Sequence, residues 1–281
     1  MTAGGRLRRA LPALPAQPPY LVAAGTGRRA LSVGVMADAS TSVVEVAVHG
    51  RWSRELGDEA TATLQLCLAG PASTVIVDLL DLGDLHGVSR TFWLAAVRRA
   101  RLRPDPVQMV LCLPAQTMLD YRLRHGDADG PQVFATVPDA RRAIATQPWR
   151  GHRVQARLDP EPVSVRAARD LVVRACRNWQ LSHLRNNACL VVSELTANAV
   201  EHAGTGLVVT VSASGSQLHL AVRDGDGRYP RLPAHGDRAV LSDRGRGLLL
   251  VHAMAAAWGV LPARSGKVVW ATLSPAGPGR A

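Results

Sequence analysis

Along most of the chain, apolar and polar positions repeat with a period that switches between two and about 3.6. From Ser42, SVVEVAVHG alternates as a strand and DEATATLQLCLAG follows with helical spacing. STVIVDLLDL reads as a strongly apolar strand and SRTFWLAAVRRARLR as an amphipathic helix with a basic face. VQMVLCLP is a third buried strand, and TMLDYRLRHG and PDARRAIA are short helices. Strands alternating with helices predict an α/β layer.

A second unit follows the Gly-, Pro- and Arg-containing stretch TQPWRGHR. RVQARL is a strand, PVSVRAARDLVVRACRNW a helix with Ser164 placed to cap it, and LSHLRNNACLVVSELTANAVEHA a further helix. GLVVTVSASGSQLHLAVRDGDG reads as a hairpin turning at SASGS. RYPRLPAHGDRAVLSD has no periodicity and reads as a loop. GRGLLLVHAMAAAWGV reads as a helix opened by glycines, and GKVVWATLS as a closing strand. Helices lead and an antiparallel sheet follows, which predicts an α+β two-layer sandwich. The resulting division is a disordered Arg-rich tail (1–41), a first unit (42–146), a linker (147–153), a second unit (154–275) and a short tail (276–281).

The 281-residue length suits two domains. The formal charge of +11 is unevenly placed: residues 1–35 hold five arginines and no acid. The remainder suits phosphate-bearing ligands or acidic partners. Basic residues are not interleaved with aromatics, so direct nucleic-acid binding is not expected. No apolar run is long enough to span a bilayer. Cys67, Cys112, Cys176 and Cys189 are far apart, fit no zinc spacing and read as core thiols of a reduced, cytoplasmic protein. Lys267, beside Gly266, is the one lysine among 33 basic residues.

Three segments of the second unit carry candidate chemistry. In VVSELTANAVEHAGTG, Glu194, Asn198 and His202 recur every four residues, and on a helix such steps advance only about 40° each, so they form one stripe. In VRDGDG, Asp224 ends an apolar strand at a glycine-rich turn, where a carboxylate can accept from an exocyclic amine. In DRGRGLLLV, Gly245 and Gly247 open a helix whose N–H groups and dipole suit phosphate. A carboxamide can ligate Mg²⁺ through oxygen, and a carboxylate one turn earlier can act as general base. Taken singly, each segment also fits a plain structural role: a solvated helix face, a hairpin turn, a helix start.

Taken together, SELTANAVEHA, VRDGDG, GRGLLLV and GKVVWATL resemble the nucleotide boxes of the GHKL ATPase superfamily, and more narrowly its anti-sigma-factor serine kinase branch. The resemblance covers residues 152–275. It implies a Bergerat-type ATP site with Glu194 as catalytic base and Asn198 as magnesium ligand. It likewise implies Asp224 as the adenine-binding carboxylate, flanked by Gly225 and Gly227, with Gly245, Arg246, Gly247 and Leu248 facing the phosphates. The loop 228–244 corresponds to the ATP lid, and His202 to a supporting position. One departure stands out: Asp226 occupies a place where the superfamily pattern has glycine, and a carboxylate there would repel phosphate unless turned away.

The first unit resembles the STAS domain of anti-sigma-factor antagonists, with LHGVS in place of the phosphoacceptor turn. Val88 aligns with the acceptor, and Ser89, one residue on, reads as a helix N-cap and only secondarily as a phosphosite. The resemblances imply ATP and Mg²⁺ as cofactors, and a STAS-domain protein or a sigma factor as partner, with a homodimer possible. Two functions follow as alternatives: a serine kinase acting on a separate STAS protein, or a catalytically weak nucleotide-gated module regulated in cis by its own first unit.

Overall fold

The computed structural model describes residues 20–22, 32–38, 42–103, 105–125, 130–146, 152–230 and 246–275. Strand β1 (Tyr20–Val22) belongs to the second unit's sheet. The first unit opens with an antiparallel pair, β2 (Val33–Asp38) and β3 (Val43–Val48), and carries a small parallel pair, β4 (Gly50–Arg51) with β6 (Leu82–Gly83). Strands β5 (Thr74–Asp78), β7 (Gln108–Cys112) and β8 (Gln132–Phe134) extend the main sheet in parallel, in the order β2-β3-β5-β7-β8.

Helices cover both faces of this sheet, so its strands are apolar on both sides. Helix α1 (Arg54–Ala69) starts where Ser53 Oγ accepts from the Leu56 N–H, and α2 (Arg90–Arg101) packs Trp93 and Val97 into the same core. Helices α3 (Met118–Arg124) and α4 (Val137–Ala145) are capped by Thr117 and Thr136 in the same way. The opposite face closes over Val43, Ile76, Val110 and Cys112 with Ala140 of α4. Across it, Arg141 of α4 donates two hydrogen bonds of 2.5 Å to Glu45 of β3.

The second unit stacks α5 (Val163–Asn178), a 3-10 turn (Ser182–Leu184), α6 (Arg185–Ala203) and α7 (Arg246–Met254) on one face of a six-stranded sheet. Its strands β9 (His152–Leu158), β10 (Leu207–Ser214), β11 (Gln217–Asp224), β12 (Ala257–Pro262) and β13 (Lys267–Leu273) run antiparallel. The order is β1-β12-β13-β11-β10-β9, with β1 parallel at the β12 edge. The match to an α+β layering is direct for this unit.

Four expectations need correction. Part of the tail is structured: Val33 and Ala37 of β2 are buried, and the short VGVMAD alternation is paired along its length with β3. The AAAWGV end of the expected helix is strand β12, because α7 stops at Met254 and Trp258 and Val260 pack into the sheet. Ser164 lies inside α5 and donates to the Asp159 carbonyl (2.7 Å) instead of capping; Pro162 holds the cap position. The linker is shorter than expected, since β9 already begins at His152. Most of the expected lid, residues 231–244, together with Gly245 and the tail 276–281, lies outside the described residues.

The two units are not separate beads. The sheet face opposite α5 and α6 is covered by the first unit, and one continuous buried cluster joins Leu64, Leu68 and Ala72 to Ala221, Leu261, Val268 and Trp270. Gly70, at the end of α1, lies against the Trp270 ring, where a Cβ would stand 3.3 Å from it. Beyond the apolar contact, Thr272 Oγ1 donates to the Ala69 carbonyl (3.0 Å). Its only proton is thereby used, so it accepts from His219 Nδ1 (2.8 Å), which fixes the Nδ1–H tautomer.

His219 is buried in this junction, and desolvation, with the Arg103 charge adding to it, lowers its pKa to about 4. The folded value lies below the unfolded one, so the unfolded chain takes up the proton first. This contribution is therefore complete above about pH 6.5 and is lost as pH falls toward 4, reaching about 3 kcal/mol. In urea titrations between pH 7 and 4, the wild type is expected to lose this stability and His219→Gln to lose less. Identical pH slopes for both chains would remove His219 from the account.

Candidate nucleotide site

On α6, the apolar positions Val191, Val192, Leu195 and Ala199 face the sheet, which leaves Glu194, Asn198 and His202 along the flank. The helix stops at Gly204, whose left-handed backbone (φ 59°) costs glycine little. Next to that stop, Thr205 Oγ1 accepts from the Gly225 N–H (2.8 Å), tying the end of α6 to the turn after β11. A Cβ at Gly225 would stand 3.0 Å from that hydroxyl, a tight contact that Thr205 would have to yield to.

Between α6, the end of β11 and the start of α7 lies a cavity of about 490 Å³, a size that suits a small ligand. Leu195, Ala199, Leu248 and Val269 supply its apolar wall, and Asn198, His202, Asp224 and Lys267 supply polar groups. Asn198 Nδ2 is buried and has no hydrogen-bond partner among the described residues. A buried amide without a partner is costly unless something completes it.

Asp224 is buried, and its Oδ1 accepts from the Asp226 N–H (2.9 Å) and from Lys267 Nζ (2.9 Å). Lys267 is its direct neighbour across the β11–β13 ladder, and its Nζ also donates to the Asp226 carbonyl (2.9 Å). Gly266 makes this approach feasible: its φ of 89° is a glycine conformation, and a Cβ would collide with the Asp224 carbonyl.

Asp226 does not leave a bare charge in the cavity. The Arg228 N–H and its guanidinium Nε donate to the carboxylate at 2.9–3.1 Å. The Arg228 backbone N–H, followed by the guanidinium and the Lys267 charge, holds the Asp226 carboxyl below the usual range. The glycine expected at this position is therefore replaced by a neutralised pair.

Glu194 stands one turn back from Asn198, outside the cavity wall, with its carboxylate against the α-carbon of Gly247 at the first turn of α7. Gly247 thus lets α7 approach the candidate base, and any Cβ there would strike Glu194 Oε2. Leu248 lines the cavity, and Gly227 has open space around it. Gly245 and the Arg246 side chain lie outside what is described. The stripe, the turn and the α7 start converge, as their order along the chain implied. Sequence reading missed the Thr205 tie and noticed Lys267 only for its solitude.

Ser89 is remote from this cavity and fully buried. Its Oγ donates to Asp84 Oδ2 (2.6 Å) and accepts from Trp93 Nε1 (3.0 Å), and the start of α2 is capped by Asp84 instead. A phosphoryl group has no room there, which removes Ser89 as a phosphosite in this fold.

The residue set fits a magnesium nucleotide: a carboxamide whose unpaired Nδ2 donor suits a phosphate oxygen and whose Oδ1 could take Mg²⁺, a buried carboxylate, and Gly247 in the first turn of α7. Among the described residues no group of three His, Cys, Asp or Glu side chains could hold a metal ion. No helix of the described residues is long and apolar enough to cross a membrane.

Residues 158–273 match the model of the histidine kinase-like ATPase domain family. No curated protein matches the chain.

Proposed function

We propose that the histidine kinase-like ATPase segment binds ATP and transfers its γ-phosphoryl group to a serine of a separate STAS-domain protein, thereby controlling a sigma factor. The observation that carries this reading is that Asp224 and Asn198 line one cavity whose neighbouring α7 start, at Gly247, packs against Glu194. Asp224 would hold the adenine amine against the apolar wall. Asn198 would hold Mg²⁺, which supplies charge neutralisation at the phosphates. Glu194, beside the α7 start, would take the proton of the acceptor hydroxyl, and the α7 N–H groups would face the phosphates.

The first unit's antiparallel hairpin followed by parallel strands supports the likeness to a STAS domain. Val88, aligned with the acceptor, is 61% exposed but has no hydroxyl, and Ser89 is buried, so the acceptor is expected on another chain. Incubation with labelled ATP and candidate STAS proteins tests this directly. Glu194→Gln is expected to keep ATP binding and lose transfer by about a hundredfold or more. Unchanged transfer in that variant would mean that Glu194 is not the base.

The second reading, a nucleotide-gated interaction module, is favoured by one observation: the first unit covers the back of the sheet whose front carries the site. A conformational change in β11 or β13 on nucleotide binding would then be felt across Trp270 and Thr272 without any chemistry.

A further inference from the structure

Lys267 is more than a counter-ion. An ammonium has three N–H donors, and the structure accounts for two of them, on Asp224 Oδ1 and the Asp226 carbonyl. Its side chain is 7% exposed, yet it lines the cavity beside Asp224. The third N–H has no partner among the described residues. Asp224 is complementary: Oδ1 takes both described hydrogen bonds, and Oδ2 takes none. Among the described residues, the cavity therefore presents one free acceptor next to one free charged donor, beside an apolar wall of Leu195, Leu248 and Val269.

Resting on the nucleotide reading above, we propose that Lys267 reads the base as well as steadying Asp224. Adenine carries an exocyclic N6–H donor next to the N1 acceptor. Asp224 Oδ2 takes the first and Lys267 Nζ gives to the second, so the pair recognises the two groups as a unit. With the carboxylate at the exocyclic position, guanine sets its O6 acceptor against Asp224 and its N1–H against the ammonium, and both contacts become repulsive. A bond from a charged donor is stronger than a neutral one, and its loss amounts to about tenfold in affinity.

The probe is an ATP analogue lacking that single acceptor, 1-deaza-ATP, titrated against the full wild-type chain by calorimetry beside ATP and 7-deaza-ATP. The expected result is ATP and 7-deaza-ATP bound equally, and 1-deaza-ATP weaker by about tenfold or more. In Lys267→Met the gap between ATP and 1-deaza-ATP closes. Equal affinity of the wild type for ATP and 1-deaza-ATP overturns the inference and leaves Lys267 a structural partner of Asp224. Binding of none of the three fails the nucleotide reading itself, and the inference with it. The wild-type comparison needs no variant, so a poorly folding Lys267→Met chain does not blunt the test.

Discussion

Asp224→Ala is expected to lower ATP affinity between about tenfold and a hundredfold and, at the same time, to destabilise the chain by about 3–5 kcal/mol. Both effects come from one side chain. Asp224 and Lys267 are 2% and 7% exposed, so removing the carboxylate leaves a buried ammonium without its counter-charge. Asp224→Ala with Lys267→Met removes that orphaned charge and should regain most of the stability while ATP affinity stays low. Urea midpoints and calorimetric titrations of the wild type and both variants separate the two roles. A single variant as stable as the wild type would contradict the buried pair.

Trp270→Ala is expected to cost about 3–5 kcal/mol, a large part of the stability of an ordinary domain. Trp270 is fully buried, belongs to the cluster that spans both units, and lies against Gly70 at the end of α1. The resulting void would loosen the junction as well as the sheet, so the unfolding transition of the full chain should broaden or divide as the units uncouple. A loss below about 1 kcal/mol, with a single sharp transition, would show that the first unit is held elsewhere.

Much of the fold is legible because each element carries its own period. The strands β3, β5 and β7 and the helices α2, α5 and α6 follow from alternation, helical spacing and, for α6, the stop at Gly204. β12 is not legible by that route, since three alanines favour helix and only pairing with β13 decides the outcome. β2 is short, contains Gly34 and half-exposes Met36, so its pattern is faint without the partner strand.

The junction between the units left a signal that periodicity alone obscures. All seven residues of β13, KVVWATL, are buried. A strand of a free two-layer sandwich would have alternated apolar with polar, so a continuous run means cover on both faces. The site shows the same division. Motif order brought Glu194, Asn198 and Asp224 together on paper. The neutralisation of Asp226 by Arg228 and the pairing of Asp224 with Lys267 depend on side-chain directions that only the ladder and the turn settle.

We propose that the cavity between α6, β11 and α7 is a magnesium-nucleotide site. Calorimetric titration of the full chain with ATP, with and without Mg²⁺, tests it most directly. Saturable one-site binding that strengthens with magnesium, and loses that magnesium dependence in Asn198→Ala, is the predicted result. A wild-type chain that binds no ATP at millimolar nucleotide, with or without magnesium, would contradict it.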